Sequence, residues 1–130
     1  MAKSGVDVEL LVPYKSDSML VDAASRSYYK ELLQSGVKVY RYKKGFIHAK
    51  TIAIDNQLSI IGTANLDYRS FDLNFEVNAV IYNSETTREL RKQFDEDLES
   101  SEQLDIVAWL QRNKIKSFFE KIAGLLSPLL

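Results

Sequence analysis

The stretch Thr51–Gly62, "TIAIDNQLSIIG", constrains the fold of this chain more than any other. Two short apolar runs flank Asp55, Asn56 and Gln57, and Asp-Asn between such runs signals a hairpin. The first run reads back as "FIHAKTIAID", which predicts one long strand through His48 and Lys50. Leu58–Gly62 is its predicted return strand. With Asp55–Gln57 as the turn, Ile54 pairs with Leu58, Lys50 faces Gly62, and His48 faces Ala64.

The other segments supply layers for that hairpin. "VDVELLVP" and "VKVYRYK" read as strands, and Met19–Gln34 between them has helical periodicity. "KSDS" offers caps for that helix, and Gly36 is placed to end it. "LNFEVNAVIY" reads as a further strand. A helix capped by Ser84 and Thr86 should follow and run to about Leu98. Residues from about 103 to 130 read as one or two more helices. The expected fold class is α/β, an α+β sandwich: a mixed β-sheet flanked by helices. At 130 residues the chain fits a single domain, 1–130.

Composition removes several functions. There is no cysteine, so disulfides, thiolate zinc sites and cysteine nucleophiles are excluded. The net charge is -1, so no global basic field argues for nucleic acid. The charge is uneven, however. Arg26–Lys50 holds seven basic residues against Glu31, while Glu85–Asp105 holds eight acids against three basic residues. The basic half flanks the single histidine. It suits an anionic substrate or a merely solvated face. The opening "MAKSGVDVELLVP" lacks the basic-then-apolar pattern of a signal peptide, and no apolar run of membrane-spanning length occurs.

On a strand, alternate side chains share a face. His48 and Lys50 then point the same way, beside Ile52 and Ile54. Two ionisable groups at one end of an apolar face read as a site at a strand end. Asp55 has the opposite parity and sits in the turn, where a carboxylate bonds nearby backbone N–H groups, so it reads as structural. The hairpin returns Gly62, Thr63 and Asn65 to the neighbourhood of His48 and Lys50. A cation, an amide and a glycine around an imidazole make an anion-binding constellation. Asn74, Glu76 and Asn78 share one face of the predicted last strand. Glu76 is either a sheet-edge glutamate in water or the partner of an imidazole N–H, which would fix the tautomer and free the other nitrogen to attack.

"HAKTIAID" fits H-x-K-x-x-x-x-D, "GTAN" follows where a G-[ST]-x-N is wanted, and Asn74 with Glu76 supplies N-x-E. Together these resemble the phospholipase D superfamily. Within it the chain is most similar to the C-terminal half of bacterial cardiolipin synthases, through "GFIHAKT", "GTANLDYRSFDLNFEVNA" and the terminal "LLSPLL". The resemblance covers nearly the whole chain; Thr63 stands where serine is commoner, and threonine keeps the hydroxyl.

The resemblance implies a phosphohistidine mechanism with no metal and no cofactor. One histidine attacks phosphorus. A second, from another motif copy, protonates the leaving alcohol and then activates the incoming one. It implies that His48 is the histidine of the second copy, that Lys50 and Asn65 hold the non-bridging phosphate oxygens, and that Glu76 orients an imidazole. It further implies phosphatidylglycerol as both donor and acceptor, with glycerol leaving, at the bacterial cell membrane through segments that this chain does not contain. With one histidine, the chain reads as half of a larger enzyme and is expected to be inactive alone. Its partner is the missing N-terminal half or a second identical chain. The alternatives are a homodimeric phosphodiesterase or nuclease of the same chemistry, and a non-catalytic membrane-binding module in which His48 is a core ring. "WLQRNKIKSFFEKIAGLLSPLL" is amphipathic and suits either an anionic lipid surface or an ordinary helix packed on the sheet.

Overall fold

The computed structural model describes every residue except Asp17, Leu126, Pro128, Leu129 and Leu130, and only the backbone at Tyr68, Arg69 and Lys114. In chain order the elements are β1 (Glu9–Pro13), α1 (Met19–Gln34), β2 (Lys38–Tyr42), β3 (Thr51–Ile54), β4 (Leu58–Gly62), α2 (Tyr68–Asp72), β5 (Asn78–Ile81), α3 (Ser84–Glu99), β6 (Ser101–Gln103), α4 (Ile106–Gln111) and α5 (Lys114–Leu125). They form two compact units. One comprises Met1–Ile47 with Ser100–Leu130, and the other His48–Glu99.

The first unit is built on a three-stranded sheet in the order β1-β2-β6. β1 and β2 are parallel, from Glu9↔Lys38 to Pro13↔Tyr42. A parallel pair needs a long crossover, and α1 supplies it. Ser18 caps that helix, its hydroxyl accepting the Val21 N–H at 3.5 Å. Gly36, at φ 87°, takes the left-handed turn that ends it. β6 runs antiparallel to β2. Inward residues of β2 alternate as a half-buried strand requires, with Val39 fully buried and Arg41 nearly so. Val39 joins Tyr29, Val37, Leu104 and Trp109 in the core. Burial pushes the Tyr29 hydroxyl up to about 12, against the opposing pull of Arg41. Arg41 instead donates to the Tyr14 carbonyl at 2.6 Å and stacks on the Tyr14 ring.

α5 packs along α1. Gly124 permits the approach, since a Cβ there would come within 3.0 Å of the Ser27 Cβ. Glu120 is 3% exposed and bonds Arg26 at 3.0 Å and Arg112 at 2.7 Å. Arg112 also stacks 3.4 Å over Trp109. Arg112 also donates a hydrogen bond to Glu120 at 3.1 Å, and two cations paired with one carboxylate are what a buried charge needs.

The second unit holds an antiparallel sheet in the order β3-β4-β5, on which α3 packs. The hairpin register runs Thr51↔Ile61 to Ile54↔Leu58, as the sequence predicts. Asp55 and Asn56 form the turn at φ 50° and 54°, values that these two residues tolerate best after glycine. The Gln57 N–H donates to the Ile54 carbonyl at 3.0 Å.

The α+β class and the flanking helices match the expectation, with four differences. The strands lie in two three-stranded sheets rather than one. β6 is an added strand, short and polar, which no apolar alternation announces. Asn83, not Ser84 or Thr86, caps α3: its side-chain oxygen accepts the Thr86 N–H at 2.9 Å, and its carbonyl accepts the hydroxyl of the buried Thr87 at 2.8 Å. The predicted strand 46–55 begins only at Thr51, and the predicted strand after Asp72 begins only at Asn78. Leu126, Leu129 and Leu130, part of the apolar terminal segment read from sequence, lie outside the described residues. Among the described residues no helix is long and apolar enough to cross a membrane.

Candidate active site

All the residues singled out from the sequence fall in the second unit, on its hairpin and the segment between β4 and β5. The β3–β4 ladder is extended by one bond, from the Gly62 N–H to the Lys50 carbonyl at 3.1 Å. There it stops. The next residue, Thr63, turns its N–H to the Val77 carbonyl at 3.0 Å and accepts the Val77 N–H on its hydroxyl at 3.0 Å. Chain N-terminal to Lys50 therefore loses its β partner. His48 and Lys50 lie in irregular backbone, so strand parity does not align them. Lys50 instead folds back, its ammonium donating to the His48 carbonyl at 3.3 Å. The His48 side chain is exposed and Lys50 is half-buried.

Gly62 answers a steric demand. A Cβ there would collide with the Asn78 side chain and lie 2.5 Å from the Val77 carbonyl oxygen. Only glycine lets β5 pass so close to the end of β4.

Glu76 is not on a strand either. It lies in the irregular approach to β5, where the Thr63 hydroxyl donates to one carboxylate oxygen. The Asn74 amide donates to the other at 3.4 Å. The Thr63 hydroxyl is the main group holding the Glu76 carboxyl below its usual range. The Ser70 and Asn74 side chains add to it, and partial burial and the Asp67 charge oppose it. The site thus holds a carboxylate that stays ionised. Asp55 is exposed at the hairpin turn, at the far end of β3 from His48.

Asn65 is exposed, but its backbone is held: its N–H donates to the Ser70 hydroxyl at 3.0 Å. Ser70 lies on α2, is 6% exposed, and gives its own N–H to Asp67 at 2.8 Å. Neither Ser70 nor the short helix α2 is anticipated by the sequence reading. The signal was available as Asp67-x-x-Ser70, since an Asp three residues before a donor is an N-cap spacing. Among the described residues no cluster of three or more His, Asp or Glu side chains is placed to hold a metal ion.

The family described as "Cardiolipin synthase, PLD-like domain" matches residues 1–98. A cardiolipin synthase of Geobacillus thermodenitrificans is 50% identical over 99% of this chain and 26% of its own length. Cardiolipin synthase 2 of Bacillus anthracis is 48% identical over the same share of the chain and 25% of its own. The chain thus spans about a quarter of the length of these curated relatives. Among solved structures, the phosphatidylserine synthase of Haemophilus influenzae superposes with a TM-score of 0.73 at 15% identity, over 99% of this chain and 36% of that one. Nuc of Salmonella typhimurium, a phospholipase D family member, gives 0.66 at 20% identity, over 78% and 66%. Those two likenesses speak to the fold, and the family match speaks to descent. The chain belongs to the phospholipase D-like domain family of the cardiolipin synthases.

Proposed function

We propose that this domain is one catalytic half of a cardiolipin synthase, contributing His48, Lys50, Asn65 and Glu76 to a phosphatidyl transfer centre. The observation that carries the proposal is the end of the hairpin. Gly62 pairs with Lys50 there, and Thr63 binds Glu76, so bonds link the three sequence blocks of the resemblance within one small unit. Gly62 and Thr63 are the frame, and Asp55 closes the turn at its far end.

The chemistry is a double displacement at phosphorus. An imidazole nitrogen attacks the phosphodiester of phosphatidylglycerol and forms an N–P bond. The P–O bond to the terminal glycerol breaks, and that oxygen takes a proton from a second imidazole. A hydroxyl of a second phosphatidylglycerol gives its proton to that imidazole, attacks the phosphohistidine phosphorus and releases the first. Charge gathers on the non-bridging oxygens throughout, where the Lys50 ammonium and the Asn65 amide would stabilise it if held in place beforehand. One imidazole cannot be nucleophile and acid in the same step, so the partner histidine comes from another motif copy. The half-exposed Ile52, Ile54 and Val80 of the second unit suit a surface that further protein covers.

The test is release of glycerol from phosphatidylglycerol in mixed micelles. The chain alone should release none above background, and a chain joining it to the complementary motif copy should be active. In that chain His48→Ala should lower the rate by at least a thousandfold. Full activity of a monomer of this chain would sink the half-site reading. Full activity of the His48→Ala variant would sink the catalytic one. A second reading, two identical chains forming one phosphodiesterase site, follows from the single histidine in the chain. Sedimentation of the active species separates a homodimer from a two-motif monomer, and plasmid cleavage in chelator tests a nuclease.

A further inference from the structure

We propose that Ser70 is a positioning residue of the candidate site, its buried hydroxyl pinning the main chain of Asn65 so that the Asn65 amide is presented in one orientation. The inference rests on the reading of Asn65 as a phosphoryl-oxygen ligand and adds a residue that the resemblance does not assign.

Asn65 follows Gly62 and Thr63 where the chain leaves β4, so no ladder holds it. Its side chain is exposed. An exposed carboxamide on a loose loop samples many rotamers, and ordering it on binding an anion costs free energy. Its backbone is restrained by the 3.0 Å bond from its N–H to the Ser70 hydroxyl. Ser70 is well fixed to serve. It is 6% exposed, sits on α2, and its N–H is satisfied by the Asp67 carboxylate at 2.8 Å. A serine hydroxyl accepts on one side and donates once on the other. With Asn65 on the accepting side, its proton is available to the Glu76 carboxylate, which it helps keep ionised. The Thr63 hydroxyl also donates to Glu76. Ser70 and Thr63 therefore tie the amide ligand and the carboxylate to one network, one hydroxyl for each end of the Thr63-Ala64-Asn65 turn. An alanine at 70 keeps the helix but leaves a backbone N–H without its acceptor.

The experiment uses the 130-residue chain, with Ser70→Ala and the hydroxyl-retaining Ser70→Thr, followed by nitrogen-15 NMR. Amide exchange at Asn65 should accelerate at least tenfold in Ser70→Ala while Ile60 on β4 stays protected, which separates local release from unfolding. Dimethyl phosphate, a phosphodiester monoanion, is then titrated against the Asn65 side-chain amide resonances. The wild type and Ser70→Thr should respond alike, and Ser70→Ala at least fivefold more weakly. Unchanged Asn65 exchange in Ser70→Ala overturns the proposal, as does an undiminished phosphodiester response. A wild type that does not respond at all overturns instead the reading of Asn65 as an anion ligand, and the exchange arm then decides the Ser70 lock by itself.

Discussion

At the scale of single residues, Glu76 is the group whose environment says most about the site. The Thr63 hydroxyl, then Ser70 and Asn74, hold its carboxyl below the ordinary range. A carboxylate depressed in the folded state adds stability above its unfolded pKa of about 4.3. That stability is lost as pH falls through the lower folded value. Glu76 should therefore titrate below the ordinary glutamate range, and the second unit should weaken only at the acid end of its range. Thr63→Val keeps the shape and removes the donor. In that variant the carbon-13 titration midpoint of Glu76 should move up toward the ordinary value and the acid limb of stability should flatten. An unmoved midpoint would show that the Thr63 bond is not what holds the carboxylate. The same hydroxyl accepts from Val77, so the variant should also loosen the start of β5, visible as faster exchange at that amide.

At the scale of elements, α3 gives a clean contrast between two neighbouring residues. Asn83 caps it through Thr86, and Ser84 is already its first helical residue. Asn83→Ala should cost about 1 kcal/mol, while Ser84→Ala should stay within about 0.5 kcal/mol. Both are read as shifts in the urea midpoint. Equal costs would return the cap to Ser84. The case also shows what is legible in a sequence. Met19–Gln34 has periodicity, a serine before it and a glycine after it, and the helix has those same bounds. The turn residues Asp55 and Asn56 set the hairpin register, and so placed Gly62 against Lys50 correctly. The strand ends were not legible, because a strand stops where its partner leaves, and alternation carries no record of that. β4 leaves at Thr63 to bond Val77, and this is why His48 and Lys50 fall outside β3. α2 has only the residues Tyr68–Asp72, too few for a helical period, and β6 has three polar ones. Composition hid both, and tertiary pairing made them. In the site, residue types and spacing named Thr63 and Glu76 but not their bond, and they missed Ser70 because its role is to accept one backbone N–H.

At the scale of the whole molecule, α5 meets both descriptions that its sequence allows. It is an ordinary packed helix on the side of Glu120, Ala123 and Gly124, which lies against α1. It is also apolar on its open side, where Phe118 and Phe119 are 61% and 64% exposed beside Ile115, Ile122 and Leu125. Its one acid, Glu120, is buried in ion pairs with Arg26 and Arg112, so the exposed charge, on Lys116 and Lys121, is basic. An apolar strip with basic flanks and its acid withdrawn suits an anionic bilayer surface. The domain should therefore cosediment with phosphatidylglycerol vesicles more than with neutral phosphatidylcholine ones, and salt should weaken the difference. Deleting α5 would expose α1 and test folding rather than binding, so the informative variant is Phe118→Ser with Phe119→Ser. Each ring is already partly buried and has about 1 kcal/mol left to gain from lipid. The pair should lower partitioning about thirtyfold, with the thermal midpoint nearly unchanged because neither ring is in the core. Partitioning that survives the double substitution would leave α5 as a packing helix only.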